Sequence, residues 1–171
     1  MHEMNGSWGY PWQETQNGNS RGEFVQAWRH IIDIFRSVGV SNASFVWCPN
    51  IDYPNTTNPS FASLYPGDSY VDWTCLDGYN WGTTRSSGWQ TFDQVYNYSY
   101  NELLKIAPSK PMMIGEFGSV EQGGSKANWF TDALKTQIPG KYSRVRAAVY
   151  FNWQFDGVDW RVETTATAAS R

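Results

Sequence analysis

Residues 111–118 read PMMIGEFG, an apolar run that ends on an acid held between Gly115 and Gly118. The run is hydrophobic on both faces, which marks a strand covered on both sides rather than one with a wet face. Three other stretches read the same way: ASFVWCP at 43–49, VDWTCLDGYNWG at 71–82 and RAAVYFNWQF at 146–155. Between them lie helical patterns. Phe24, Ala27, Trp28, Ile31, Ile32 and Phe35 recur at helical spacing behind a capping-box pair, Ser20 and Glu23, and Gly39 ends that helix. Thr91 and Gln94 cap a helix over 92–107 that Pro108 closes, and the helix at 125–138 is expected to stop at Pro139 and Gly140. Residues 50–70 form a proline-rich loop with a helical segment, and 158–171 suit a last helix.

Covered strands alternating with amphipathic helices imply an α/β domain built on a parallel sheet. Ligand sites in such folds lie at the carboxyl ends of the strands. Asn50, Asp77 to Trp81, Glu116 and Asn152 to Gln154 all stand there, so they are expected to converge. The 171 residues suit a single domain, 1–171, with no internal repeat or linker.

Composition narrows the class. A net charge of −3 gives no basic field for nucleic acid, and no apolar run approaches a membrane span. Ten Trp and ten Tyr, with carboxylates and amides and little Lys, suit a surface that handles carbohydrate, because flat rings stack on the apolar faces of sugars. Cys48 and Cys75 read as small buried hydrophobes rather than as a redox or metal pair; a bridge between neighbouring strands stays open, since it needs a geometry that sequence does not supply. No His and carboxylate cluster has metal-ligand spacing, so neither a metal nor a cofactor is expected.

Glu116 taken alone suits a loop-capping carboxylate as well as a functional one, and Glu3 alone suits a solvated terminus. As a pair aimed at one cleft they suffice for glycoside hydrolysis, one as acid/base and one as nucleophile or base. The stretches HEMNGSWGYPW (2–12), VWCPN (46–50), YPGDSYVDWTCLDGYNWG (65–82), IGEFGS (114–119) and YFNWQFDGVDWRV (150–162) together resemble glycoside hydrolase family 26, in order and with matching spacing. The resemblance spans nearly the whole chain. It implies a retaining β-glycosidase on a (β/α)8 TIM barrel, acting within plant polysaccharide: β-1,4-mannan first, mixed-linkage β-glucan next, xylan in some members. Carried over by motif, Glu3 would be the acid/base and Glu116 the nucleophile, with carboxyls about 5–5.5 Å apart. His2 would orient Glu3 or touch sugar, Tyr79 would hold the nucleophile in line, and Trp8, Trp81 and Trp153 would be sugar platforms. For each Trp, core packing is the competing reading; Trp89 and Trp160 stay undecided, Asn50 and Asp77 receive no role, and Trp28, Trp47, Trp73, Trp129 and the helix-face Phe residues read as core.

A full barrel takes about 250 residues. The resemblance therefore implies a partial barrel, from the end of the fourth strand to the eighth helix. Open strand edges are a liability, so self-association into a homo-oligomer that completes the barrel is expected, with loss of activity or a non-catalytic carbohydrate-binding or structural fragment as the alternative. The parent enzyme is expected to be secreted, since polymers do not enter cells, although this chain carries no signal-peptide pattern.

Overall fold

The computed structural model describes residues 1–164. Four parallel strands form one sheet in chain order: β1 (Val46–Trp47), β2 (Trp73–Asn80), β3 (Met112–Ser119) and β4 (Val145–Tyr150). Helix α1 (Glu23–Ser37) precedes β1, α2 (Phe61–Leu64) lies in the loop before β2, and α3 (Phe92–Ile106) connects β2 to β3. Between β3 and β4 run α4 (Lys126–Asp132) and α5 (Ile138–Lys141), and a short antiparallel hairpin, β5 (Gln154–Phe155) and β6 (Val158–Asp159), follows β4. The α/β class and the parallel sheet agree with the sequence reading, and no closed barrel is formed among the described residues. The last helix expected at 158–171 is replaced at its start by β6 and a 3₁₀ turn, Val162–Thr164; the remainder of that stretch lies outside the described residues.

Local chemistry explains the element boundaries. Thr91 and Gln94 make both bonds of the capping box, Gln94 N–H to Thr91 Oγ1 at 3.2 Å and Thr91 N–H to Gln94 Oε1 at 2.8 Å. Such a cap stabilises a helix by about 1 kcal/mol. The box expected at Ser20 and Glu23 is only half formed. Glu23 accepts from Ser20 N–H, but the N-cap is Gly22 in the left-handed region, and its N–H goes to buried Glu14. Pro139 and Gly140 do not stop the helix as expected. A π-helical segment, Ala133–Gln137, resets the backbone ladder, so Pro139 falls in the first turn of α5, where its missing N–H is no loss.

One core joins α1, α3 and α4 to the sheet through Phe24, Trp28, Trp47, Tyr96, Ile114 and Trp129. The reading of burial changes at four residues. Ala27, Ile31 and Phe35 on α1 are exposed rather than core, as that side of the helix meets little of the sheet, and Trp73 is half-buried. Strand β4 is exposed along much of its length, being the outer strand of the sheet. It also ends at Tyr150: Gln154 and Phe155 turn back through Asp156 and Gly157, both at positive φ, to pair with Val158 and Asp159.

Cys48 and Cys75 are joined as a disulfide between the end of β1 and the middle of β2, the bridge that the sequence left open. The close approach depends on Gly115. The β2–β3 register skips at this residue, leaving it as a bulge, and a Cβ there would lie 2.5 Å from Cys75 Sγ and 2.9 Å from Cys48 Sγ. Beyond the bulge, Asp77 and Glu116 become register partners on adjacent strands. The glycine before the acid therefore makes room for the bridge and re-aims the strand end.

Candidate active site

The opening residues are tied to the sheet at two points and braced internally at two more. Glu3 N–H donates to Cys48 O at 2.7 Å, and Asn5 and Asn50 form a reciprocal pair, Asn5 Nδ2 to Asn50 O and Asn50 N–H to Asn5 Oδ1, both at 2.9 Å. Gln13, fully buried, donates to Glu3 O at 3.0 Å and accepts from Gly9 and Tyr10 N–H at 2.9 and 3.1 Å. Trp12 Nε1 donates to His2 O at 2.6 Å. Side-chain amides thus do the work of a strand ladder. Gly9, at φ +97°, supplies the turn that brings Trp8 and Tyr10 onto the same wall.

Glu3, Glu116, Asn50 and Tyr79 face one cleft of about 770 Å³ at the carboxyl ends of β1, β2 and β3. Glu3 is 6% exposed, and burial raises its carboxyl above the usual range. Nearby Glu116 pushes the same way; a hydrogen bond from Asn50 Nδ2 to Glu3 Oε1, 2.6 Å long, and the charge of His2 oppose it. Tyr79 OH donates to Glu116 Oε2. Tyr96, from α3, reaches under the site, with its hydroxyl 2.7 Å from Gly78 O and 3.1 Å from Glu116 O.

Asp77 is the third carboxyl. It is 1% exposed, and burial, then the charges of Glu116 and Glu3, push its pKa up to about 9. Its Oδ1 lies 3.1 Å from Cys48 Sγ. That sulfur is in a disulfide and has no proton to give, so a hydrogen bond here requires the proton on Asp77. With its pKa pushed that high, against a backbone hydrogen bond from Glu116 that favours the charge, the neutral carboxyl is the favoured form at pH 7 and the site is spared a third negative charge.

The expected aromatic residues divide. Trp8, half exposed, lines the cleft, as do His2, packed at 5.2 Å from Tyr10, and Trp81. Trp81 carries the Arg85 guanidinium 4.4 Å from its ring centroid, and Arg85 pairs with Asp156 in the β5–β6 turn. Trp153 does not line the cleft: it is 65% exposed, because the hairpin carries it away from the strand end. Trp160 takes a place on the wall instead, 4.9 Å from Tyr79 and 4.7 Å from Trp81 between ring centroids. Asn50 and Asp77, given no role from sequence, touch the carboxylate pair. The Asp-Gly dipeptide at 156–157 was the available signal for the hairpin that exchanges Trp153 for Trp160.

Metal-ligand capacity is small. Among the described residues, His2, Asp77 and Glu116 each bring one ligand-type atom within 4.8 Å of the others, but Glu116 Oε2 is taken by Tyr79. The cysteines beside Asp77 offer no thiolate.

Comparison with known proteins assigns the family. The family model of Glycosyl hydrolase family 26 matches residues 1–144. Endoglucanase H of Acetivibrio thermocellus is 44% identical over 98% of this chain, which covers 18% of that protein. Mannan endo-1,4-β-mannosidase of Bacillus subtilis is 29% identical over 81% of the chain, covering 35% of that protein. The modular endo-β-1,4-mannanase of Cellulomonas fimi superposes with a TM-score of 0.70 at 26% identity, over 98% of this chain and 37% of the other. The chain thus spans well under half the length of these relatives. On the family match over residues 1–144 and the 44% identity across nearly the whole chain, the chain belongs to glycosyl hydrolase family 26.

Proposed function

We propose that the chain carries the catalytic pair of an endo-acting, retaining β-glycoside hydrolase on plant polysaccharide. The observation that carries the reading is Glu3, a buried carboxyl with a raised pKa, facing a cleft shared with Glu116, whose orientation Tyr79 fixes. Glu3 starts protonated and gives its proton to the glycosidic oxygen as the leaving sugar departs. Glu116 starts as the carboxylate and bonds to C1, forming the glycosyl-enzyme. Glu3, now ionised, takes a proton from water, the hydroxide attacks C1, and the bond to Glu116 breaks. Trp8 and Trp81 offer ring surface to the sugars, Trp160 backs the wall behind them, and His2 lies beside Glu3.

The motifs alone put β-1,4-mannan first and mixed-linkage β-glucan second. The 44% identity to a protein named an endoglucanase, against 29% to a mannosidase, favours β-glucan as the first polymer to test. The partner is thus a polysaccharide. Self-association is proposed with it, supported by exposed Ile34 and Val38 on and beside α1 and Val149 on β4. A disulfide persists in oxidising surroundings, which supports a secreted parent enzyme.

Reducing-end release from barley-type β-glucan and β-mannan, for the chain and for Glu116→Ala, tests the reading. Turnover that disappears in the variant supports it. No turnover by the soluble, folded chain on either polymer overturns it in favour of a binding or structural fragment.

A further inference from the structure

Lys126, the first residue of α4, is completely buried. A lysine is almost never so placed unless its ammonium is fully hydrogen-bonded, because desolvating the charge is costly. Its Nζ spends three protons on Arg161 O at 2.8 Å, Thr164 Oγ1 at 2.8 Å and Asp159 O at 3.3 Å. Thr164 Oγ1 also lies 3.0 Å from Arg161 O, which closes the network. Burial pulls the ammonium pKa down, and the charges of Glu121, Asp159 and Glu163 oppose that.

The carbonyls that Lys126 takes stand on either side of Trp160. The carbonyl between them, Trp160 O, accepts from Tyr150 OH, and Trp160 N–H donates to Trp153 O at 3.1 Å. Three consecutive carbonyls, 159 to 161, are thus fixed by side chains of α4 and β4. An irregular segment needs nothing of the kind merely to reach the surface, where water would satisfy it. What the arrangement fixes is the Trp160 indole, 1% exposed, wedged between Tyr79 and Trp81. Behind it, Gly118 leaves so little room that an added Cβ would sit 3.1 Å from Trp160 Cε3. Tyr79 in turn donates to Glu116.

We propose that Lys126 is a positioning residue for the hydrolysis, acting on the Glu116 carboxylate through Trp160 and Tyr79. It touches no substrate. It locks the backbone on both sides of Trp160, so that the indole backs Tyr79 and keeps its hydroxyl on Glu116 Oε2. The inference rests on the reading of Glu116 as nucleophile.

The test is kinetic, on β-glucan and β-mannan, with Lys126→Met, Tyr79→Phe and the double variant. Lys126→Met keeps the length and loses the donors. Its kcat is expected to fall about tenfold or more with KM within about twofold, since a displaced reactive group costs transition-state stabilisation rather than binding. In the Tyr79→Phe background the same change is expected to cost under about threefold, because both variants break one chain. A lysine that only stabilised the fold would lower melting temperature and give independent, multiplying losses. Tyr150→Phe and Thr164→Val, which remove single ties and leave Lys126 in place, are expected to show a weaker kcat-only loss and serve if Lys126→Met fails to fold. Parent turnover with kcat unchanged in the folded variants, or with fully additive losses, overturns the inference alone. No parent turnover overturns the hydrolase reading together with it.

Discussion

Asn50 Nδ2 donates to Glu3 Oε1 across 2.6 Å, joining the acid of the opening loop to the end of the first strand. The bond favours the ionised carboxylate and so opposes the burial that raises the Glu3 pKa. Replacing Asn50 with Ala removes the largest of the opposing interactions. The basic limb of the kcat/KM profile, which reports loss of the Glu3 proton, is expected to move to higher pH. The maximum is expected to fall about tenfold, as Glu3 loses its orientation. A pH–rate profile on soluble β-glucan measures both.

Tyr79 stands in the same relation to Glu116. Tyr79→Phe keeps the ring against Trp160 and loses only the hydroxyl. The expected result is a kcat lower by about two orders of magnitude with KM within about threefold, the pattern of an interaction that matters in the transition state. Equal loss in KM would assign Tyr79 to sugar binding instead.

Asp77 makes stability fall with rising pH. Its folded pKa is pushed up to about 9 from an ordinary 3.8, so between these values the native state holds a proton that the unfolded state has released. The stabilisation is complete below about pH 4, declines as pH rises, and is lost by about pH 9, with a slope of at most about 1.4 kcal/mol per pH unit. Asp77→Asn cannot ionise, so its melting temperature is expected to change less between pH 5 and pH 8 than that of the parent. A parallel decline in both proteins would show that Asp77 is not the group responsible.

The Cys48–Cys75 bridge closes a loop with a sequence separation of 27. Chain-entropy arithmetic for that loop gives about 3.5 kcal/mol, subject to any strain in the native state. Reduction, or Cys48→Ser with Cys75→Ser, is expected to lower stability by about that much in urea unfolding. It is also expected to reduce kcat, because the bridge lies under Asp77 and Gly115, immediately before Glu116.

Much of this was legible from residues alone. PMMIGEFG and VDWTCLDGYNWG read as covered strands because apolar side chains fill both faces, and the capping box at Thr91 set the start of α3 within a residue. Glu3, Glu116, Tyr79, His2, Trp8 and Trp81 were named from motifs and meet at one cleft. What stayed hidden depended on contacts distant in sequence. The disulfide requires Gly115 to bulge between two other strands, and no spacing of Cys48 and Cys75 shows that. Asp77 reads as a strand-end acid until burial beside two glutamates makes it neutral. Trp153 is carried off and Trp160 brought in because a two-residue Asp-Gly turn folds the chain back, and a run of aromatic residues in sequence does not tell which side of the turn borders the cleft.

Glu116 is proposed to form the bond to the sugar. Incubation of the chain with a 2-deoxy-2-fluoro glycoside bearing a good leaving group, followed by peptide mass spectrometry, tests it directly, since the fluorine slows breakdown of the glycosyl-enzyme. We expect one sugar per chain on the peptide containing Glu116, and none in Glu116→Ala. A label on Glu3 or Asp77, or hydrolysis with no covalent label and inverted product, would contradict the account.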